Sequence, residues 1–121
     1  MWKNILLVGL GGALGSVLRY VITLVTAALK NVPAMVGTFV ANILGCFAIG
    51  VVIAACDKES LALFASVGFC GGFTTFSTFS AQTIAALQSG KYGVAACYIA
   101  ATLVVCFLMT WAGLAVGKRI A

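Results

Sequence analysis

The chain predicts an all-α membrane protein of four transmembrane helices with the third broken near its middle, and three observations carry that expectation. Of 121 residues, 64% are hydrophobic and only 7% charged, far from the soluble norm of about 45–50% apolar and about 25% charged. Apolar runs of more than about 18 residues, enough for a hydrocarbon layer about 30 Å thick, are separated by short polar links at Lys30-Asn31-Val32-Pro33, Asp57-Lys58-Glu59 and Gly90-Lys91. One run is interrupted by adjacent glycines and several hydroxyls, where a lipid-facing helix is smooth. The links leave one domain, residues 1–121, with spans near 4–29, 34–56, 61–90 and 93–116 and no soluble domain or linker.

The first stretch opens with Gly9-Leu10-Gly11-Gly12-Ala13-Leu14-Gly15, superficially a dinucleotide-binding loop. That motif needs a preceding strand and an acidic residue about 20 positions on; here it lies inside a span, and Leu14 stands where the third Gly falls. Helix packing is the better reading, with Gly11 and Gly15 as a small-residue ladder. Arg19 follows, and an arginine at the centre of an inserted helix costs about 2.5–3.5 kcal/mol on translocon scales. Two accounts stand: the side chain snorkels to the headgroups beside Tyr20, or it supplies positive charge at the mouth of an aqueous vestibule. A cleaved leader is the alternative for this stretch, since Lys3 precedes 15 uncharged residues and Thr26-Ala27-Ala28 resembles a small-x-small site.

Pro33 suits the first turn of the second helix, where its missing N–H costs nothing. Within that helix Gly37, Ala41 and Gly45 form a second small-residue ladder, serving contacts either within one chain or between two. Thr38, Asn42 and Cys46, at spacing four, share a stripe. Asn42 matters most, because an amide has four hydrogen-bonding sites and cannot satisfy them on its own helix. It requires a protein partner, a water or a ligand.

Asp57 or Ser60 can cap the third helix, which then runs into Gly68-Phe69-Cys70-Gly71-Gly72-Phe73-Thr74-Thr75-Phe76-Ser77-Thr78-Phe79-Ser80. Irregular backbone at membrane depth is tolerated only where it is buried in protein or lines a cavity, so the interruption marks a candidate binding site. Unwinding around residues 71–75 leaves carbonyls without intrahelical donors, and two such breaks meeting at a two-fold axis offer oxygens suited to a bare monovalent cation. Phe76 and Phe79 share a face, with Ser77 and Ser80 beside them. Such rings usually face lipid or core. Presented edge-on among hydroxyl donors, their positive edges can instead receive an anion that has shed its water. In the fourth helix Tyr98, Thr102, Cys106 and Thr110 repeat at spacing four as a polar track, although membrane hydroxyls often bond back to their own helix.

Several functions are excluded. The chain has no His, and Asp57 and Glu59 are its only acids, so it lacks the usual acid/base pair of an enzyme and the usual transition-metal ligands. Five cysteines without C-x-x-C spacing give neither a disulfide framework nor a zinc site. The net charge of +5 is scattered, which argues against nucleic acid. With an even number of helices, Lys3, Lys58, Lys118 and Arg119 lie on one side against two or three on the other, Lys30 and Lys91, with Arg19 as the third if it reaches that side. So weak a bias instructs orientation poorly. The expectation is insertion both ways, with opposite copies paired about an axis in the membrane plane, since four helices alone leave no room for a solvated path.

Three blocks, Gly11 to Gly15 through Arg19-Tyr20, Gly37 to Gly45, and Gly68 to Phe79, together resemble the small dual-topology fluoride channels of the Fluc or CrcB family, nearly end to end. The resemblance implies an antiparallel homodimer in the inner (plasma) membrane, with two fluoride pathways and a central structural sodium ion. It puts the sodium on the carbonyls of Gly71 and Thr74. The pathways would be lined by Phe76, Phe79 and Asn42, with Thr38, Ser77 and Ser80 nearby, a hydroxyl track at Tyr98 and Thr102, and Arg19 in the vestibule. Cys106 departs from the family's hydroxyl, and Gln82 stands where some relatives carry a glutamate. The implied purpose is resistance: hydrogen fluoride enters, dissociates, and the anion leaves down its gradient. The alternatives are a small proton-coupled exporter, which needs a titratable carboxylate within the membrane, and a non-transporting assembly subunit.

Overall fold

The computed structural model describes residues 1–121 and contains helices and short links, with no strand. The first span is Trp2–Ala28, the second Ala34–Ala55, the third the interrupted Glu59–Gln88, and the fourth Tyr92–Ile120. All four are long and apolar enough to cross a membrane. The shortest, with 22 residues, reaches about 33 Å at about 1.5 Å per residue.

The ends differ modestly from expectation. Pro33 sits just ahead of the second helix, with φ −63° and ψ 151°, rather than inside its first turn. Lys58 occupies the position before the third helix, and neither Asp57 nor Ser60 caps it with a side chain. The fourth helix continues through Lys118 and Arg119, because cations are favoured beside the carbonyl end of a helix. Two links use left-handed backbone, at Asn31 (φ 64°) and Gly90 (φ 78°). At the latter, Gly90 N–H donates to the Leu87 carbonyl and Lys91 N–H to that of Ala86, a Schellman closure of the third span.

Packing divides the molecule into two halves. The second span lies along the fourth, and the first along the early part of the third. A Cβ on Gly50 would strike the Thr110 carbonyl, and one on Gly113 the Phe47 carbonyl, so glycine at both positions lets these two backbones touch. The ladder in the first span behaves alike: Gly11 faces Phe64 and Phe69 backbone, and Gly15 faces that of Phe69 and Phe73. In the second span, Gly37 meets Thr26 and Gly45 meets the methyl of Thr74, while Ala41 is fully buried. Both ladders therefore serve contacts within one chain. Only 21 of 121 residues are buried, so most apolar side chains face acyl chains or another protein surface.

Candidate functional site

The third span is discontinuous where the hydroxyls stand, two residues later than the glycines. Its leading half, residues 59–73, begins with Glu59–Ala62, widens into a π-helix over Leu63–Cys70 and returns to α-helix over Gly71–Phe73. Thr74 (φ −83°, ψ 159°) and Thr75 (φ −150°, ψ 115°) are extended, and the trailing half is Phe76–Gln88. Gly71 and Gly72 are thus helical, which corrects the idea that they form the interruption. Gly72 admits the first span, since a Cβ there would lie 2.5 Å from the Gly12 carbonyl oxygen, whereas one on Gly71 would make only an ordinary contact, 3.8 Å from the Ser66 carbonyl oxygen. Two β-branched residues with weak helix preference occupy the interruption instead. Thr75 then starts the new helix, its Oγ1 accepting from Thr78 N–H at 3.2 Å.

Side chains from the neighbouring spans hold this geometry. Asn42 Oδ1 accepts from Thr75 N–H at 2.8 Å, and Asn42 Nδ2 donates to the Thr75 carbonyl at 3.2 Å. The amide therefore finds its partner in the unwound backbone and replaces both backbone hydrogen bonds a helix would have supplied to Thr75. Arg19 Nε donates to the Gly72 carbonyl at 3.1 Å. Neither account of Arg19 from sequence foresaw that contact. Thr74 turns back, donating from N–H at 3.0 Å and from Oγ1 at 2.8 Å to the Cys70 carbonyl.

In an unbroken helix the Gly71 carbonyl would accept from Thr75 N–H and the Thr74 carbonyl from Thr78 N–H. Both donors are diverted, to Asn42 Oδ1 and Thr75 Oγ1. Gly71 and Thr74 accordingly lack their regular intrahelical donors, and both border a groove of about 510 Å³ that also meets Asn42, Cys46, Phe79 and Thr102. Neutral carbonyl oxygens of this kind suit a hard, weakly charged cation such as sodium, so the residues fit the group.

The aromatic pair is split. Phe79 is buried, 7% exposed, while Phe76 is 76% exposed, although their rings lie 5.7 Å apart. Phe79 meets Tyr98 edge-on at 5.0 Å. The Tyr98 hydroxyl donates to Gln82 Oε1 at 2.7 Å, a pairing across the last two spans whose sequence signal was an amide within a membrane span. Thr38 is buried on the second span, and Ser77 and Ser80 are exposed on the trailing half. On the fourth span, Thr110 Oγ1 bonds back to the Cys106 carbonyl, as membrane hydroxyls often do. Thr102 does not: its Oγ1 is buried without any partner, beside the groove. Thr75 is the site residue that sequence reasoning passed over, although a threonine ahead of a helical run is a recognisable start signal.

A discontinuous membrane span, with unwound backbone clasped by an asparagine and opening on a groove, defines a multi-pass membrane protein with a broken helix lining a cavity. The family model described as "CrcB-like protein, Camphor Resistance (CrcB)" matches residues 6–114. The chain belongs to the CrcB family. It is 40% identical to the fluoride-specific ion channel FluC of Flavobacterium psychrophilum, across 98% of this chain and 99% of that one. It is 44% identical to the FluC of Pseudomonas paraeruginosa, across 94% and 93% of the two chains. For the FluC of Azobacteroides pseudotrichonymphae the identity is 42%, across 82% and 83%.

Proposed function

We propose that this protein is a fluoride-selective channel of the bacterial inner membrane, letting the anion leave the cell passively. The observation that supports this most is the composition of the groove: an unpartnered Thr102 hydroxyl, the ring of Phe79 and an unwound backbone, with no carboxylate or lysine among them. A small anion surrendering its hydration shell needs weak, replaceable donors at close quarters. Hydroxyls and ring edges meet that need, while a fixed cation at the narrowest point would trap the ion.

The functional unit in this reading is an antiparallel homodimer. The groove is open to one side of the chain, and Phe76 projects from the same face into space that no residue of its own chain fills. A second copy across that face would enclose two passages and bring the Gly71 and Thr74 carbonyls of both chains towards one axis. A sodium ion there would be held by those four oxygens and would neutralise the exposed carbonyl ends of the two leading halves. Arg19, Asn42, Thr38, Ser77, Ser80 and Tyr98 would border or support the passages.

Protein reconstituted in fluoride-loaded vesicles is expected to release fluoride electrogenically with little chloride release, and Phe79→Ile or Phe76→Ile is expected to suppress that flux. Equal fluoride and chloride currents would remove the selectivity from the proposal. A proton-coupled exporter is disfavoured because Asp57 lies in a link and Glu59 in the exposed first turn beyond it. A non-transporting assembly subunit predicts no flux in the same vesicles.

A further inference from the structure

Arg19 stands on a stripe with Gly11 and Gly15, four residues apart along the first span. The two glycines lay this stripe against the backbone of the leading half, and one turn further on the arginine reaches that half's last carbonyls. Its Nε donates to Gly72, a residue 53 positions away in sequence, from a half-buried setting. The consequence shows in the carbonyls around the break. That of Gly72 is taken by Arg19 and that of Thr75 by Asn42, while those of Gly71 and Thr74, residues that border the groove, are capped by neither.

From this arrangement we infer that Arg19 is a positioning residue which, together with Asn42, decides which backbone oxygens of the break remain available to a cation; attraction of anions from a vestibule is not its main task. The inference rests on the proposed sodium site. The two caps act from opposite sides of the break, one from the first span and one from the second. By occupying the oxygens at 72 and 75 they restrain the peptide planes on either side, and so aim those at 71 and 74. Loss of the arginine cap frees the Gly72 oxygen as well and lets the end of the leading half rotate.

Chemical reach separates the two roles. In glutamine, Nε2 lies as many bonds from Cα as Nε does in arginine, so Arg19→Gln keeps a donor at the same distance without the charge. Arg19→Lys keeps the charge but moves the donor one atom outward. Arg19→Met has neither. The test measures fluoride efflux from vesicles at low and high ionic strength, and separately the thermal midpoint of the detergent-solubilised protein against sodium concentration, with N-methylglucamine as the balancing cation. Specific binding raises that midpoint with ligand concentration.

If Arg19 positions the break, efflux falls in the order Arg, Gln, Lys, Met, with Lys and Met down about tenfold, as expected when a hydrogen bond from a charged donor is lost. The sodium concentration that stabilises Lys and Met rises in parallel, and Gln stays nearest to the parent in both measurements. An attractor gives the opposite result: Lys retains efflux, Gln and Met lose it together, the loss shrinks at high salt, and the sodium response of all three is unchanged. That pattern overturns the inference, as does a parental sodium response in Met. If even the parent releases no fluoride, the channel reading fails, while the sodium series still decides whether Arg19 shapes a cation site.

Discussion

Asn42 joins the second span to the third through both functions of one amide, its oxygen accepting from Thr75 N–H and its nitrogen donating to the Thr75 carbonyl. Its need for a partner was legible from sequence, because an amide cannot be satisfied on its own helix; that the partner is the backbone of Thr75 was not, since nothing in the spacing of the second span identifies position 75. Asn42→Leu leaves the Thr75 N–H and carbonyl unsatisfied and is expected to destabilise the protein by about 2 kcal/mol, read as a lower thermal midpoint in detergent. Thr102 carries the opposite signature. A buried hydroxyl without a partner is unfavourable by about 1–3 kcal/mol, so Thr102→Val is expected to raise the midpoint while reducing fluoride efflux. A fall in both would show that the hydroxyl serves folding rather than transport.

The third span illustrates how far an element can be read without coordinates. Its discontinuity was expected and is present, yet it lies at Thr74 and Thr75, while the glycines that suggested it remain helical and admit the first span. Glycine in a membrane helix has two physical uses, release of the backbone and close approach of a neighbour, and sequence does not distinguish them. The π-helix over Leu63–Cys70 was not legible at all, since Leu-Phe-Ala-Ser-Val-Gly-Phe-Cys contains no residue that enforces one extra residue per turn. Two substitutions separate the uses. Gly72→Ala meets the Gly12 backbone and is expected to destabilise by about 1–3 kcal/mol through overpacking. Thr75→Ala removes the hydroxyl that starts the trailing half and is expected to cost about 1 kcal/mol, with efflux reduced because Thr78 N–H is returned to the Thr74 carbonyl.

At the scale of the whole molecule, four spans were legible from hydropathy and polar links alone, and the observed limits differ from expectation by only a few residues at each end. Partnering of the spans was not, because small-residue ladders serve contacts within and between chains equally well. With both ladders occupied inside one chain, the second copy in the proposed dimer is assigned to the groove face, where Phe76 projects. Gly71→Val tests this surface: a Cβ there clashes with nothing in its own chain, lying 3.8 Å from the Ser66 carbonyl oxygen, so the substitution is expected to spare the monomer's helicity while abolishing the dimer on size-exclusion chromatography. An intact dimer with full efflux would contradict the proposed axis. Reporter fusions at Ala121 are expected to be active on both sides of the membrane. The clasp on Thr75 is relevant here for a separate reason. Every bond that shapes the break is made by residues of a single polypeptide and none refers to the cytoplasm or the exterior, so a copy threaded either way up matures into an identical object. In the proposed antiparallel pair, one gene would in this way furnish both halves without a sister protein.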